Sequence, residues 1–269
     1  MAIKSKTDSK QTAMNISESR HVPFAVVEAY KAIRTNLTFL LATSETKVFG
    51  ITSPGEGEGK STTSVNMAIA FSQLGDKALL IDADMRKSSI HKKLKIENNA
   101  GLSNVLAGFN NYSEVITRIN DTFDVITAGQ MPPNPSELLG SARFKELVET
   151  VGREYSYVIM DTPPMDVVTD ALVIAPHTAG LVLVVKDHVT PTDAINRAIE
   201  AAKFANINIL GAVMNAANPK SGRGYGYRKY GYRKYGYRKY GYSKYGYGYG
   251  YGSTPTLKQT EQSETPNQQ

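Results

Sequence analysis

The stretch Val48-Phe49-Gly50-Ile51-Thr52-Ser53-Pro54-Gly55-Glu56-Gly57-Glu58-Gly59-Lys60-Ser61-Thr62 constrains this chain more than any other. A short apolar run leads into three glycines, then Lys-Ser-Thr, then a helix-like segment from Ser64 to Leu74. That order reads as a strand, a phosphate-wrapping loop and a helix N-terminus. Gly57 and Gly59 let the backbone curl so that successive N–H groups face an anion, and the helix dipole adds positive potential at the same point. Lys60 would reach the β/γ-phosphates of ATP, and Ser61 would place a hydroxyl on Mg²⁺. The expected ATP-binding loop is therefore Gly55, Glu56, Gly57, Glu58, Gly59, Lys60, Ser61 and Thr62. Pro54 stands where the first Gly of Gly-x-x-x-x-Gly-Lys-[Ser/Thr] belongs, so a glycine-rich turn without a ligand competes for this loop taken alone.

From 48 to 218 strand-like and helix-like segments alternate. Strands are expected at Val48–Ser53, Lys77–Asp82, Phe123–Thr127, Tyr157–Asp161, Leu181–Lys186 and Ile209–Asn215. Helices are expected at Thr62–Leu74, Ser136–Val151 and Thr192–Phe204. The strands are nearly continuous apolar runs rather than alternating ones, which means burial on both faces: an α/β fold with a mostly parallel sheet between helix layers. Loops at the carboxyl ends of such strands carry the chemistry.

Two acidic motifs end strands. In Ile81-Asp82-Ala83-Asp84-Met85-Arg86, two carboxylates two residues apart suit a hard cation with oxygen ligands. Asp82 can hold Mg²⁺ or take a proton from an incoming hydroxyl. Asp84 can share either role, and Arg86 can pair with a carboxylate or a phosphate. An exposed turn, or the Asp-x-Asp site of a sugar-nucleotide transferase, would also carry this motif, but neither accounts for Lys60. In Tyr157-Val158-Ile159-Met160-Asp161-Thr162-Pro163-Pro164 an apolar strand ends in an acid, the Walker B arrangement, with Asp161 as a direct or indirect Mg²⁺ partner. A phosphate loop followed by two strand-end carboxylate sites points to Mg·ATP.

Other stretches are less directive. The loop from Thr127 leads into a helix that Ser136 would cap. Asn215 ends the last strand, where its amide could read an adenine edge or simply form a turn. His21, His91, His177 and His188 lack ligand spacing and are assigned no metal. Pro23 opens an N-terminal helix with Phe24, Val27, Tyr30, Ile33, Leu37 and Leu40 on one stripe. Off that stripe lie Glu28, Lys31 and Arg34, readable as a solvated face with an ion pair or as a contact between protomers.

The net charge of +6 conceals an uneven distribution. Residues 219–251 hold nine Lys/Arg and no Asp/Glu, while 1–218 hold 21 Lys/Arg against 23 Asp/Glu. Within the basic segment Tyr-Gly-Tyr-Arg-Lys repeats, and 12 of the chain's 16 tyrosines fall there: Tyr225, Tyr227, Tyr230, Tyr232, Tyr235, Tyr237, Tyr240, Tyr242, Tyr245, Tyr247, Tyr249 and Tyr251. Such composition lacks the aliphatic residues of a folded core and predicts a flexible tail over 219–252, with a polar C-terminus over 253–269 and a disordered start over 1–21. The tail could be merely adhesive, could bind nucleic acid or another anionic polymer through phosphates and ring stacking, or could accept phosphoryl groups. Each phosphotyrosine adds roughly −1.5 to −2 charge, so about five or six would cancel the tail's positive charge. The adjacent ATP site favours the third reading, and no nucleic acid is expected. No stretch is long and apolar enough for a membrane span, the N-terminus lacks the apolar core of a secretory signal, and there is no cysteine; a cytoplasmic address fits.

Taken together, the Pro-Gly-Glu-Gly-Glu-Gly-Lys-Ser-Thr loop at 54–62, Ile-Asp-Ala-Asp-Met-Arg at 81–86, Pro-Asn-Pro-Ser-Glu-Leu-Leu at 133–139, Met-Asp-Thr-Pro-Pro at 160–164 and the tyrosine cluster resemble the bacterial tyrosine kinases of the capsule and exopolysaccharide type (CpsD/CapB-like). The resemblance covers about residues 22 to 251. It implies a three-layer P-loop NTPase fold of the MinD/ParA kind over 22–218. It implies Mg·ATP-dependent autophosphorylation in trans on the tail, with Lys60, Asp82, Asp84 and Asp161 catalytic, Asp82 as the base, and Ser61, Asp82 and Asp161 at the metal. It also implies a separate membrane adaptor whose cytosolic segment activates the kinase and recruits it to the inner face of the membrane. Control of polysaccharide synthesis and export follows from the same resemblance, as does a cognate tyrosine phosphatase. The family's Glu-x-x-Arg-x-x-Arg contact for a ring-shaped homo-oligomer stands here as Glu28, Lys31 and Arg34, with Lys in the middle place. A MinD/ParA-like positioning ATPase is one alternative; its extra loop lysine would fall at Gly55, and it gives the tyrosine repeat no purpose. A nucleotide-dependent binding protein whose basic tail holds an anionic polymer is the other, and it leaves Asp82 and Asp161 idle.

Overall fold

A computed structural model describes residues 23–217. Seven strands form one sheet: β1 (Val48–Thr52), β2 (Ala78–Asp82), β3 (Ile116–Asn120), β4 (Phe123–Ile126), β5 (Tyr157–Asp161), β6 (Leu181–Lys186) and β7 (Ile209–Asn215). Their order across the sheet is β3-β4-β2-β5-β1-β6-β7, and every neighbouring pair is parallel except β3 with β4. The apolar runs of β1, β2, β4, β5 and β6 are buried on both faces, whereas β7, at the sheet edge, is part-exposed against expectation. Alternate residues of β1, β2 and β5 serve two separate cores. Val48, Leu79, Ile81, Val158 and Met160 pack with Phe144, Leu147 and Val151 of α7 (Ala142–Glu154). Phe49, Ile51, Leu80 and Ile159 pack on the other face with Met67, Ala68 and Phe71 of α2 (Lys60–Ser72), where Phe71 stacks on Tyr157 at 4.0 Å.

Three details depart from the sequence reading. The helix expected over Ser136–Val151 is two helices, α6 (Pro135–Leu139) and α7, broken at Gly140. Ser141 caps α7 by accepting from the Phe144 N–H, and Ser136 reaches across the fold instead of capping. In α1 (Phe24–Leu41) the apolar stripe is displaced. Leu37 and Leu41 are buried and Ile33 is half-buried, an i, i+4 row, whereas Leu40 is 48% and Phe24 78% exposed. From Tyr30 onward α1 lies against the body, through Tyr30, Ile33, Leu37 and Leu41. The segment between β2 and β4, which gave no clear period, holds α3 (Ile90–Leu94), α4 (Leu102–Ala107), α5 (Tyr112–Val115) and the antiparallel edge strand β3. Two further α-helices, α8 (Asp170–Ile174) and α9 (Thr192–Phe204), and a 3₁₀ turn at Ala175–His177 complete the described chain.

Candidate nucleotide and metal site

β2, β5 and β1 are consecutive in the sheet, so their carboxyl ends bring Asp82, Asp161 and the glycine loop side by side. Asp82 and Asp161 are register partners across β2 and β5. Parallel strands with aligned ends leave these two side chains in one fully buried place.

The loop itself is held from below. Gly57 and Gly59 have positive φ, 72° and 99°, as a loop that turns its amides toward one centre requires. Gly59 has a second reason to be glycine: a Cβ there would lie 2.0 Å from Nδ2 of Asn215. That amide donates to the Glu58 carbonyl at 2.8 Å, tying the end of β7 to the loop. Glu58 turns its side chain inward, where one carboxyl oxygen accepts from the Thr190 hydroxyl at 2.8 Å and the other has no partner. Burial raises its pKa.

Lys60 opens α2 and points at the acids. Its Nζ donates to Asp84 Oδ2 at 2.6 Å. Burial alone would lower the ammonium's pKa, but the Asp161 and Asp84 carboxylates outweigh it and raise it. Asp84 also accepts from the Lys87 N–H, so both its oxygens are engaged. Asp82 differs. Oδ2 accepts from the N–H groups of Ser89 and Ile90 at the start of α3, while Oδ1 is buried without a partner. Burial, and the nearby Asp161 charge after it, push the Asp82 carboxyl up to about 8. Asp161 accepts from the Ser64 hydroxyl through Oδ1, while its Oδ2 is likewise unpartnered. Burial pushes this group up too, opposed chiefly by Lys60.

Two buried carboxylate oxygens without partners on paired strand ends, with the Ser61 hydroxyl against Asp161, fit a hard divalent cation. The described residues form no cluster of three or more His, Cys, Asp or Glu in metal-holding geometry. Mg²⁺ needs none, because it keeps several waters and takes ligands from substrate phosphates.

Above the loop lies a cleft of about 490 Å³, lined among others by Gly57, Lys60, Thr62, Asp84, Arg86 and Val168. The volume suits a nucleotide-sized ligand. A larger hollow of about 670 Å³ lies at the opposite end of the strands, near Thr46, Gly152 and Thr178, away from every strand-end acid. Arg86 lines the nucleotide cleft, but its Nε and Nη2 are held by Asp170. Lys93 of α3, a cleft residue that sequence spacing did not single out, donates to the Thr62 hydroxyl at 2.9 Å. Asp170 was equally silent in the sequence; an isolated acid in Val-Thr-Asp-Ala carries no pattern.

Glu28 and Lys31 form the i,i+3 ion pair at 2.8 Å, each about half exposed, while Arg34 turns inward and donates to the Ala70 carbonyl. The twelve tail tyrosines lie outside the described residues. Among the described residues no helix is long and apolar enough to cross a membrane.

Residues 46–200, more than half of the chain, match the AAA domain family. The tyrosine-protein kinase YwqD of Bacillus subtilis is 40% identical over 201 residues, 74% of this chain and 85% of that protein. The kinase domain of the Escherichia coli tyrosine kinase ETK superposes with a TM-score of 0.70 at 36% identity, covering 75% of this chain and 79% of that one. The chimerical protein CapA2B2 gives a TM-score of 0.69 at 35% identity over 75% of this chain and 88% of that one.

Proposed function

The chain belongs to the bacterial tyrosine-protein kinases, and on that footing we propose that it transfers the γ-phosphoryl group of ATP to tyrosine hydroxyls, those of its own tail first. The observation that carries this reading is the pair of unpartnered oxygens, Asp82 Oδ1 and Asp161 Oδ2, beside Lys60 at the mouth of the glycine loop.

The loop amides from Gly55 to Thr62 wrap the phosphates, and Lys60 swings from Asp84 to the β/γ oxygens. Ser61, Asp82 and Asp161 would hold Mg²⁺, which would supply charge neutralisation at the phosphate oxygens. The tyrosine oxygen bonds to the γ-phosphorus as the bond to the β–γ bridging oxygen breaks and ADP leaves. The hydroxyl proton passes to Asp82. Its Oδ1, buried without a hydrogen-bond partner, is the atom that receives it. Asp84 holds Lys60 in reserve, and Asn215 keeps Glu58 and Gly59 in place rather than leaving its amide free for a base.

The acceptors are the tyrosines from Tyr225 to Tyr251, presented by one protomer to another. Glu28, Lys31 and Arg34 supply the contact of a ring-shaped homo-oligomer; Glu28 and Lys31 are exposed enough to take part. A membrane adaptor with a cytosolic segment activates the enzyme and brings it to the inner face of the membrane, the capsule or exopolysaccharide machinery is the process controlled, and a tyrosine phosphatase reverses the modification.

Incubation with Mg·[γ-³²P]ATP, with and without a candidate adaptor's cytosolic segment, and mapping of the label by mass spectrometry tests the reading. Label on Tyr225–Tyr251, rising in rate per molecule with concentration, is expected. Release of free phosphate with no labelled protein would transfer the chain to the positioning ATPases.

A further inference from the structure

Arg86 in the loop after β2, Ser136 in the first turn of α6 and Asp170 at the start of α8 meet behind the Arg86 edge of the nucleotide cleft. Asp170 is fully buried, and both its oxygens are filled. Oδ2 accepts from Arg86 Nε at 2.8 Å. Oδ1 accepts from Arg86 Nη2 at 3.2 Å and from the Ser136 hydroxyl at 2.5 Å. Arg86 Nη2 also donates to Ser136 Oγ at 2.9 Å, closing a three-residue ring. A carboxylate taken wholly out of water is tolerable only when its charge is met, and the two-pronged guanidinium contact fixes direction as well as charge. Arg86 remains one-third exposed and lines the cleft. Its Nη1 has no partner among the described residues.

We propose that Asp170 is the positioning residue of this kinase for Arg86: it anchors Nε and Nη2, with Ser136 as brace, so that Nη1 is presented to a phosphate oxygen of the bound nucleotide. The inference rests on the reading of the cleft as an ATP site and adds a residue that acts on the nucleotide only through another. It also gives the Pro-Asn-Pro-Ser stretch at 133–136 a task, since Ser136 is the loop's contact with this ring. A lysine in place of Arg86 would keep the charge and lose the fork.

The test is a double-mutant cycle on full-length protein, read as kcat/KM for ATP in tail phosphorylation and as affinity for a fluorescent ATP analogue. Asp170→Asn should lower kcat/KM by about tenfold or more, and Arg86→Ala by a similar factor. In the Arg86→Ala background Asp170→Asn should cost less than about twofold, because the group it positions is gone. Thermal stability should change sign in the same cycle. Asp170→Asn lowers the melting temperature of the unaltered chain but raises it in Arg86→Ala, where the carboxylate is buried and unpaired. Ser136→Ala is the gentler variant should Asp170→Asn fold poorly, with a severalfold loss likewise absent from the Arg86→Ala background. Equal losses in both backgrounds, or an unaffected Asp170→Asn or Ser136→Ala, overturn the positioning role while leaving the ATP site intact. An Arg86→Ala variant with unchanged ATP handling overturns the nucleotide contact itself.

Discussion

Lys60 Nζ donates to Asp84 Oδ2 at 2.6 Å, and that bond separates two carboxylates that look equivalent in the sequence. Asp84 is engaged through both oxygens, by Lys60 and by the Lys87 N–H. Asp82, two residues away, keeps one buried oxygen free. The free oxygen is the one open to an incoming cation or proton, and Asp84 offers no such atom.

Lys60→Met should reduce tyrosine phosphorylation by on the order of 10²–10³-fold or more, since it removes the cation aimed at the transferring group. The protein should remain folded, because α2 is held by Phe71 and Met67 in the core. Label incorporation together with circular dichroism checks both halves. Undiminished transfer would remove Lys60 from the site.

Asp82→Asn should cost far more in rate than in nucleotide affinity. A lost general base lowers turnover by about 10²–10⁴-fold, whereas ATP binding measured without Mg²⁺ should shift by less than about threefold. Equal losses in the two measurements would assign Asp82 to binding.

The same residue makes a signed prediction for stability. Its pKa in the folded chain is about 8 against an ordinary 3.8, so between those values the folded protein holds a proton that the unfolded one has released. In the presence of EDTA, stability therefore falls as pH rises from 5 to 8, by at most about 1.4 kcal/mol per pH unit from this group. Asp82→Asn should flatten that slope and raise the melting temperature at pH 8. Parallel melting curves for the two proteins across this range would refute it.

Gly59→Ala should be among the harshest single-atom changes in the loop. It places a Cβ 2.0 Å from the Asn215 amide and forces a side chain into φ 99°, strain of about 1–3 kcal/mol. Weakened ATP binding, measured by titration calorimetry, is expected. Adding Asn215→Ala should relieve the clash but not the backbone strain, giving partial recovery.

Deleting residues 220–252 should abolish most phosphate incorporation and leave ATP affinity within about twofold, because the residues that line the cleft fall between Glu56 and Val168. Binding and label assays on the same preparation check this. Persistent labelling would shift the acceptors to Tyr30 or Tyr112, since Tyr155 and Tyr157 are buried.

Periodicity and strand-end chemistry were legible in the linear chain. β5, β6, β7 and α9 occur with the boundaries expected, and β1, β2 and β4 within a residue at either end. Long apolar runs and a glycine loop are local signals, and each sheet strand satisfies its own. The stretch from 88 to 120 was not legible, because helices of four to six residues are too short to show a period. The break at Gly140 was hidden for a related reason: Ser-Glu-Leu-Leu and Ala-Arg-Phe-Lys both read as helix, and only packing decides where one ends.

By itself, then, the sequence determined the parallel α/β class, the phosphate loop, the strand-end acids Asp82 and Asp161 and the tyrosine tail, since each is written in adjacent residues whose chemistry needs no distant partner. The tertiary structure decided which atoms remain free: that Asp84 is engaged and Asp82 is not, that Asn215 props Gly59, and that Asp170 and Ser136 reach back to Arg86. Those contacts span 24 to 157 positions, and strand order brings their ends together. The physical reason is desolvation. A buried carboxylate or guanidinium must find its counter-charge in space, and no spacing along the chain records where that partner will be.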